Sequence, residues 1–75
     1  MSDIEIRLQS VAFNIRKSRK DKRKSQGQVA RSLKVSQNAY SKLECGKTQL
    51  TLKNLMIIGE YLNISIFDLL NQSHS

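Results

Sequence analysis

The chain has 75 residues, a net charge of +7, no proline and one cysteine. A chain of this length supports a small hydrophobic core but not a scaffold that also encloses a catalytic cavity. One cysteine excludes an intrachain disulfide, and one histidine beside it cannot complete a four-ligand zinc site. No Ser/His/Asp set, metal cluster or phosphate-binding glycine loop is present, so we expect no enzyme activity, metal or cofactor.

The basic residues are distributed unevenly along the chain. Residues 16–53 contain twelve Lys or Arg against two acidic residues, whereas residues 54–75 contain no Lys or Arg. Such a separation is expected if one side of the molecule meets a polyanion and the other meets protein. The run RKSRKDKRK at 16–24, taken alone, is as typical of a solvated face as of phosphate binding.

No segment of the chain reads as a membrane or export signal. No apolar run approaches the roughly 20 residues that a membrane-spanning helix needs, and no signal-peptide pattern opens the sequence. We therefore expect a cytoplasmic protein with one domain over residues 1–70 and a disordered tail over residues 71–75.

The first predicted element is a long helix that Ser2 and Glu5 open as a capping box. Ile6 and Phe13 fall on roughly the opposite side of this helix from its main apolar stripe. Two interpretations of them stay open: incidental exposure of apolar side chains, or a patch that contacts a protein partner. The stripe expected to face inward consists of Ile4, Leu8, Val11, Ala12 and Ile15.

Residues 25–47 predict two short helices joined by a tight turn. Ser25 and Gln28 form a capping box, and the turn is expected at residues 34–36, with Val35 as an apolar plug between the helices. Gly46 suits the left-handed end of the second of these helices. The residues expected to face inward are Val29, Ala30, Leu33, Ala39, Tyr40 and Leu43.

Two more helices are predicted after the loop at residues 48–50. Thr51 is expected to cap the first of them, and Asn63 is expected to close it in the left-handed conformation. Ser65 and Asp68 then form a cap pair for a short last helix. The inward residues expected in the earlier helix are Leu52, Leu55, Met56, Ile58, Gly59 and Leu62. The sequence therefore predicts an all-α fold, a compact bundle of five helices.

A set of positions in register over three quarters of the chain then gives a family resemblance. The positions are Ile15, Arg16, Arg19, Ser25, Gln26, Val29, Ala30, Leu33, Val35, Ser36, Gln37, Leu43, Glu44, Gly46, Lys47, Leu52, Leu55, Ile58, Leu62, Ile64, Ser65, Asp68, Leu69 and Leu70. At these positions the chain resembles the Cro/CI-type (XRE) helix-turn-helix family. The resemblance implies a lambda-repressor-like DNA-binding domain whose third helix enters the major groove.

The chain departs from the family pattern in the turns. Arg23 and Lys24 stand where a glycine and an apolar residue are usual, and Lys34 replaces the frequent glycine of the helix-turn-helix turn. A left-handed backbone at Lys34 would cost on the order of 1 kcal/mol.

The resemblance also implies which residues meet DNA. The expected base contacts are Gln37, Asn38, Ser41 and Lys42, because amide side chains can pair with adenine and lysine with guanine. The expected phosphate contacts are Gln26, Ser36, Lys47, Thr48, Arg16 and Lys24. The resemblance further implies a structural ion pair between Arg19 and Glu44, which ties the first helix to the third.

The implied function is sequence-specific transcription regulation of the repressor or controller type, by a homodimer on a pseudo-palindromic operator of double-stranded DNA. The expected dimer surface is Ile64, Ile66, Phe67 and Leu70, which cannot all face the core of so small a chain. An alternative from a different class is an antitoxin-like or other interaction module, in which binding a toxin or another regulator is primary. RNA binding is disfavoured because exposed aromatic residues are scarce.

Overall fold

Five α-helices build the fold over residues 2–71, which are the residues that the computed structural model describes. They are α1 (Asp3–Asp21), α2 (Gln26–Leu33), α3 (Gln37–Glu44), α4 (Leu52–Leu62) and α5 (Ile66–Asn71). The described range contains no strand, and the predicted all-α bundle of five helices is confirmed. The predicted tail started at Asn71, but this residue is the last of α5, and residues 72–75 lie outside the described range.

The helices begin at hydroxyl side chains that accept hydrogen bonds from free backbone N–H groups. The acceptors are Ser2, Ser25, Ser36 and Thr51, each bonded to the N–H three residues on. In α2 the Gln28 side chain also accepts from the Ser25 N–H at 2.8 Å, which completes the predicted capping box. The Ser65 hydroxyl accepts from the backbone N–H of Phe67 and not from that of Asp68. The cap of α5 therefore uses a donor one residue earlier than predicted.

The first four helices end in one recurring turn. One residue adopts the left-handed conformation and donates its N–H to the carbonyl three residues back, and the next residue donates to the carbonyl five residues back. The left-handed residues are Arg23 (φ 58°), Lys34 (φ 60°), Gly46 (φ 76°) and Asn63 (φ 57°). The prediction is confirmed at Lys34, Gly46 and Asn63, and Arg23 was missed.

The core lies where all five helices meet. Its buried members are Val11, Ile15, Val29, Ala30, Leu33, Tyr40, Leu43, Leu55, Ile58, Leu62 and Leu69. Beside this core the Asn14 side chain donates to the backbone carbonyl of Leu69 at 2.7 Å. Because both residues are buried, this bond fixes the short α5 onto α1.

The predicted inward-facing stripe of α1 is wrong at its first two residues, Ile4 and Leu8. Ile4 is 71% exposed and Leu8 is 46% exposed, and every residue from 2 to 9 is exposed. The stripe keeps the predicted helical spacing, but the described residues cover the first two turns of α1 only in part.

Four other residues expected inside are exposed: Val35, Ala39, Leu52 and Met56. The buried faces of α3 and α4 are narrower than the predicted ones, and they are centred on Tyr40 in α3 and on Leu55, Ile58 and Leu62 in α4. Val35 closes the α2–α3 turn through its backbone N–H, which donates to the Ala30 carbonyl, and its side chain does not act as the predicted plug.

Replacing Lys34 with glycine should stabilise the fold. The left-handed backbone costs a non-glycine residue about 1–2 kcal/mol, and the extra chain entropy of an unfolded glycine offsets about 0.4–1 kcal/mol of the gain. We expect Lys34→Gly to raise the free energy of unfolding in urea by about 1 kcal/mol. Asn63→Gly is the matched control and should gain less, because asparagine tolerates this conformation. A loss of stability in Lys34→Gly would contradict the strain at this turn.

Candidate nucleic-acid interface

Helix α3 carries a polar, solvent-facing side. Asn38 and Lys42 are exposed, and Ser41 is half-buried between them. At about 100° per residue these three side chains share one face of the helix. The opposite face is buried through Tyr40 and Leu43. Three of the predicted base-contact residues are therefore together on the solvent-facing side of α3.

Gln37, the fourth predicted base contact, lies at the N-terminal edge of this face and is exposed. Its side-chain oxygen lies 3.6 Å from the position that a Cβ on Gly27 would take. The side chain therefore reaches back toward the first turn of α2. This contact places Gln37 beside the end of α2 that carries Gln26.

The predicted phosphate contacts differ in their exposure to solvent. Arg16, Ser36, Lys47 and Thr48 are exposed, and Gln26 and Lys24 are half-buried. The Ser36 hydroxyl accepts the N–H of Ala39 as the cap of α3, which leaves its own O–H free to donate. Lys24 is drawn to the α4 side, where its Nζ lies 5.6 Å from the centre of the Tyr61 ring.

The loop that carries Lys47 and Thr48 is held against α1 at Gly46. The Gln9 side-chain amide donates to the Gly46 carbonyl at 3.5 Å. A Cβ on Gly46 would lie 2.6 Å from the Gln9 nitrogen, and the residue has φ of 76°, so glycine avoids both the backbone strain and a displacement of the Gln9 side chain. Gly46 thus sets the point at which the chain leaves α3 toward Lys47.

The ion pair expected between Arg19 and Glu44 is present and joins α1 to the end of α3. Arg19 Nε donates to Glu44 Oε2 at 2.8 Å, and Arg19 Nη2 donates to Glu44 Oε1 at 2.9 Å. The remaining nitrogen, Nη1, donates to the Lys24 carbonyl at 2.8 Å, and Gln26 Nε2 donates to Glu44 Oε1 at 3.2 Å. The buried ion pair therefore connects α1, the α1–α2 loop, α2 and α3.

The electrostatics of this network keep the pair charged. Burial raises the pKa of the Glu44 carboxyl, but hydrogen bonds from Arg19 and Gln26 outweigh it, so the pKa lies below its ordinary value. The hydrogen bond to Glu44 raises the pKa of Arg19. Burial also raises the pKa of the neighbouring Tyr40, which stays neutral.

Sequence reasoning assigned no surface role to Cys45 or to Arg23. Cys45 is an exposed free thiol four residues after Ser41, so it lies on the same face of α3 as the predicted base contacts. The same helical spacing could have located it from the sequence. Arg23 is exposed in the α1–α2 turn, and the glycine usual at this position was the signal for its left-handed backbone.

Two general properties of the described residues bear on the type of site. Within residues 2–71 no helix is both long and apolar enough to cross a bilayer. In the same range no three or more His, Cys, Asp or Glu side chains come together as metal ligands.

Two short helices joined by a tight turn, with the polar side of the second facing solvent amid cations, define a helix-turn-helix protein. A family model described as helix-turn-helix matches residues 15–69. The chain belongs to this XRE-type family, and it is a DNA-binding transcription regulator that binds double-stranded DNA. Comparison with curated proteins found no match, and comparison with solved structures found none.

Glu44→Gln should destabilise the protein strongly, because it leaves the buried Arg19 charge without its partner. We expect a loss of about 3 kcal/mol or more in the free energy of unfolding in urea at neutral pH. Glu60→Gln, which removes an exposed carboxylate from α4, is the control and should change stability by less than about 0.5 kcal/mol.

The pH dependence of stability has a defined sign. A carboxyl group whose pKa is lowered on folding stabilises the protein above its unfolded pKa and loses this contribution as the pH falls through the folded pKa. Wild-type stability should therefore fall on acidification below the ordinary glutamate value of 4.5. Glu44→Gln should fall less steeply, and equal slopes would show that Glu44 does not carry this dependence.

Proposed function

We propose that this protein is a repressor-type regulator that binds a pseudo-palindromic operator as a homodimer. The observation that carries the proposal is the exposed polar face of α3, formed by Asn38, Ser41 and Lys42 with Gln37 at its edge. We also propose that it acts in the cytoplasm, where its DNA lies, and that it has no catalytic activity, metal or cofactor.

The side chains on this face match the chemistry of base edges in the major groove. The amides of Gln37 and Asn38 can donate to adenine N7 and accept from adenine N6, and Lys42 can donate to guanine O6 and N7. Each such contact discriminates against a wrong base pair by about 1–3 kcal/mol. The residue types therefore favour a site with adenine and guanine at the positions that α3 reads.

The residues around the face suit the phosphate backbone. Arg16 and Lys47 are exposed cations, and Thr48 adds an exposed hydroxyl. Gln26 is oriented by Glu44, whose carboxylate accepts a hydrogen bond from the Gln26 side-chain nitrogen. Since the NH₂ group has two hydrogens, the second can donate to a phosphate while the first stays on Glu44.

The surface of α5 supports dimerisation. Phe67 is 75% exposed and Leu70 is 46% exposed, and Ile64 and Ile66 are half-buried beside them. Residues 54–71 contain no Lys or Arg, and Asp68 is the single charged residue of α5. A single reader of this size covers about half a helical turn of DNA, and two copies related by a two-fold axis read two half-sites.

The exposed first two turns of α1 favour a second candidate function. Ile4, Ile6 and Leu8 are all exposed there, and Leu8 lies beside the loop at residues 46–50. Such a surface suits a protein partner, as in the antitoxin-like alternative. Regulation that is lost in Ile6→Asp while the dimer and its DNA affinity persist would favour this candidate.

Gln37→Ala and Lys47→Ala should affect DNA binding in different ways. Gln37→Ala removes a base contact and should relax preference at one position of an operator selected from random duplex DNA, at a cost of about 1–3 kcal/mol. Lys47→Ala removes a phosphate contact and should lower the affinity for all DNA sequences by a similar factor. Fluorescence anisotropy on matched and substituted duplexes measures both. Unchanged affinity in both variants would refute the placement of the interface on α3.

Phe67→Glu should prevent dimerisation without unfolding the monomer, because the side chain is exposed and would place a buried charge at the dimer contact. We expect the variant to sediment as a monomer at concentrations at which the wild type is a dimer. Leu52→Glu is the matched control, since Leu52 is 67% exposed and begins α4, at the opposite end of that helix from Ile64. A wild-type monomer at high micromolar concentration, or a dimeric Phe67→Glu variant, would contradict dimerisation through α5.

A further inference from the structure

One turn of the backbone leads into three different helices of this fold. Its first residue is left-handed, its third is a serine that caps the next helix, and the helix begins immediately after the serine. The three copies occupy residues 23–25 before α2, residues 34–36 before α3 and residues 63–65 before α5. The copies have similar backbones, so their side chains can be compared position by position.

The side chains of the three copies differ according to the helix that follows. Before α2 and α3 the left-handed residue is a cation, Arg23 or Lys34, and the first helical residue is a glutamine. Before α5 the corresponding residues are Asn63 and Ile66. Asparagine is one of the few residues that tolerate the left-handed conformation, whereas arginine and lysine are strained in it. The chain therefore carries strained cations only at the two helices of the helix-turn-helix.

Attraction to the negative ends of the preceding helices does not explain these cations well. A cation anywhere in the last turn interacts favourably with a helix C-terminus. Helix α1 already has Lys20 in its last turn, and α2 has Arg31. These residues supply the favourable charge from ordinary helical positions, so the strained position is not needed for that purpose.

Among residues 2–71, no ion pair neutralises the charge of Arg23 or of Lys34. Both residues are exposed, and the ion pair found among residues 2–71 is that of Arg19 with Glu44. Lys24, next to Arg23, is instead drawn to the Tyr61 ring. In the α1–α2 turn, Lys22 and Arg23 thus remain exposed, and of these two cations Arg23 holds the left-handed position.

We propose that Arg23 and Lys34 are contacts to the DNA backbone, each binding a phosphate beside the helix start that it precedes. Arg23 then acts next to Gln26, and Lys34 acts next to Gln37 as it enters the groove. The inference rests on the proposed placement of α3 and deepens it. It adds two phosphate-binding residues at positions where the fold would be more stable with glycine.

The test uses Arg23→Gly and Lys34→Gly in the full chain, which remove the charge without introducing strain. Both variants should melt at or above the wild-type temperature, so weaker DNA binding cannot be attributed to unfolding. The probe is a duplex selected by the wild-type protein from random sequence. Each lost phosphate contact lowers the slope of log affinity against log salt by about 0.9, so the wild type should lose about 3.5-fold more affinity than either variant between about 50 and about 200 mM salt.

Two control variants separate a phosphate contact from general effects. Asn63→Gly makes the same backbone change in the third copy of the turn and should leave DNA affinity and salt slope unchanged. Arg7→Gln removes one exposed cation from the first turns of α1 and reports the effect of net charge alone. It should alter the salt slope by much less than Arg23→Gly or Lys34→Gly.

The inference is overturned if both glycine variants keep the wild-type DNA affinity and salt slope. It is also overturned if Arg7→Gln changes the salt slope as much as the glycine variants do. Gln37→Ala, measured on the same duplex, distinguishes the two levels of the proposal. If Gln37→Ala relaxes base preference while Arg23→Gly and Lys34→Gly are silent, only the added phosphate contacts are wrong. If all three variants are silent, the placement of α3 on DNA is wrong.

Discussion

The buried pair of Arg19 and Glu44 is the interaction on which the geometry of the site depends. Each partner is charged, and each uses its remaining hydrogen-bonding capacity on another element: Arg19 on the Lys24 carbonyl and Glu44 on Gln26. A planar guanidinium that donates two parallel bonds to a carboxylate fixes orientation as well as distance. The start of α2 and the end of α3 are therefore positioned by one carboxylate. This carboxylate also fixes the direction in which the polar face of α3 points.

The rest of the molecule divides its surface by charge. Twelve of the thirteen Lys and Arg lie within residues 16–53, and the segment from residue 54 into α5 carries apolar groups on its surface without Lys or Arg. The bond from Asn14 to the Leu69 carbonyl holds α5 against α1 although α5 has only six residues. A polyanion and a second protein surface can thus be bound on different sides without competing for the same residues.

Local rules predicted local features well. The serine and threonine caps, the left-handed residues at Lys34 and Asn63 and the burial of Tyr40 all follow from residue type and spacing. The errors concern how far along a helix its inward face is buried. Ile4 and Leu8 have the spacing of core residues, yet periodicity specifies only a helical face and not how far the neighbouring helices reach. Tertiary contacts such as that of Lys24 with Tyr61 have no local signature, and so the sequence could not predict them.

The turns connect stability with function in this chain. Small domains have unfolding free energies of about 5–15 kcal/mol, and two strained left-handed cations at about 1–2 kcal/mol each take a substantial part of that. Asn63 occupies the same backbone conformation at lower cost, so the geometry itself does not require a cation. A strained cation thus occupies two equivalent turns, and a tolerated residue occupies the third. What the first two turns contact explains this difference more simply than how they fold.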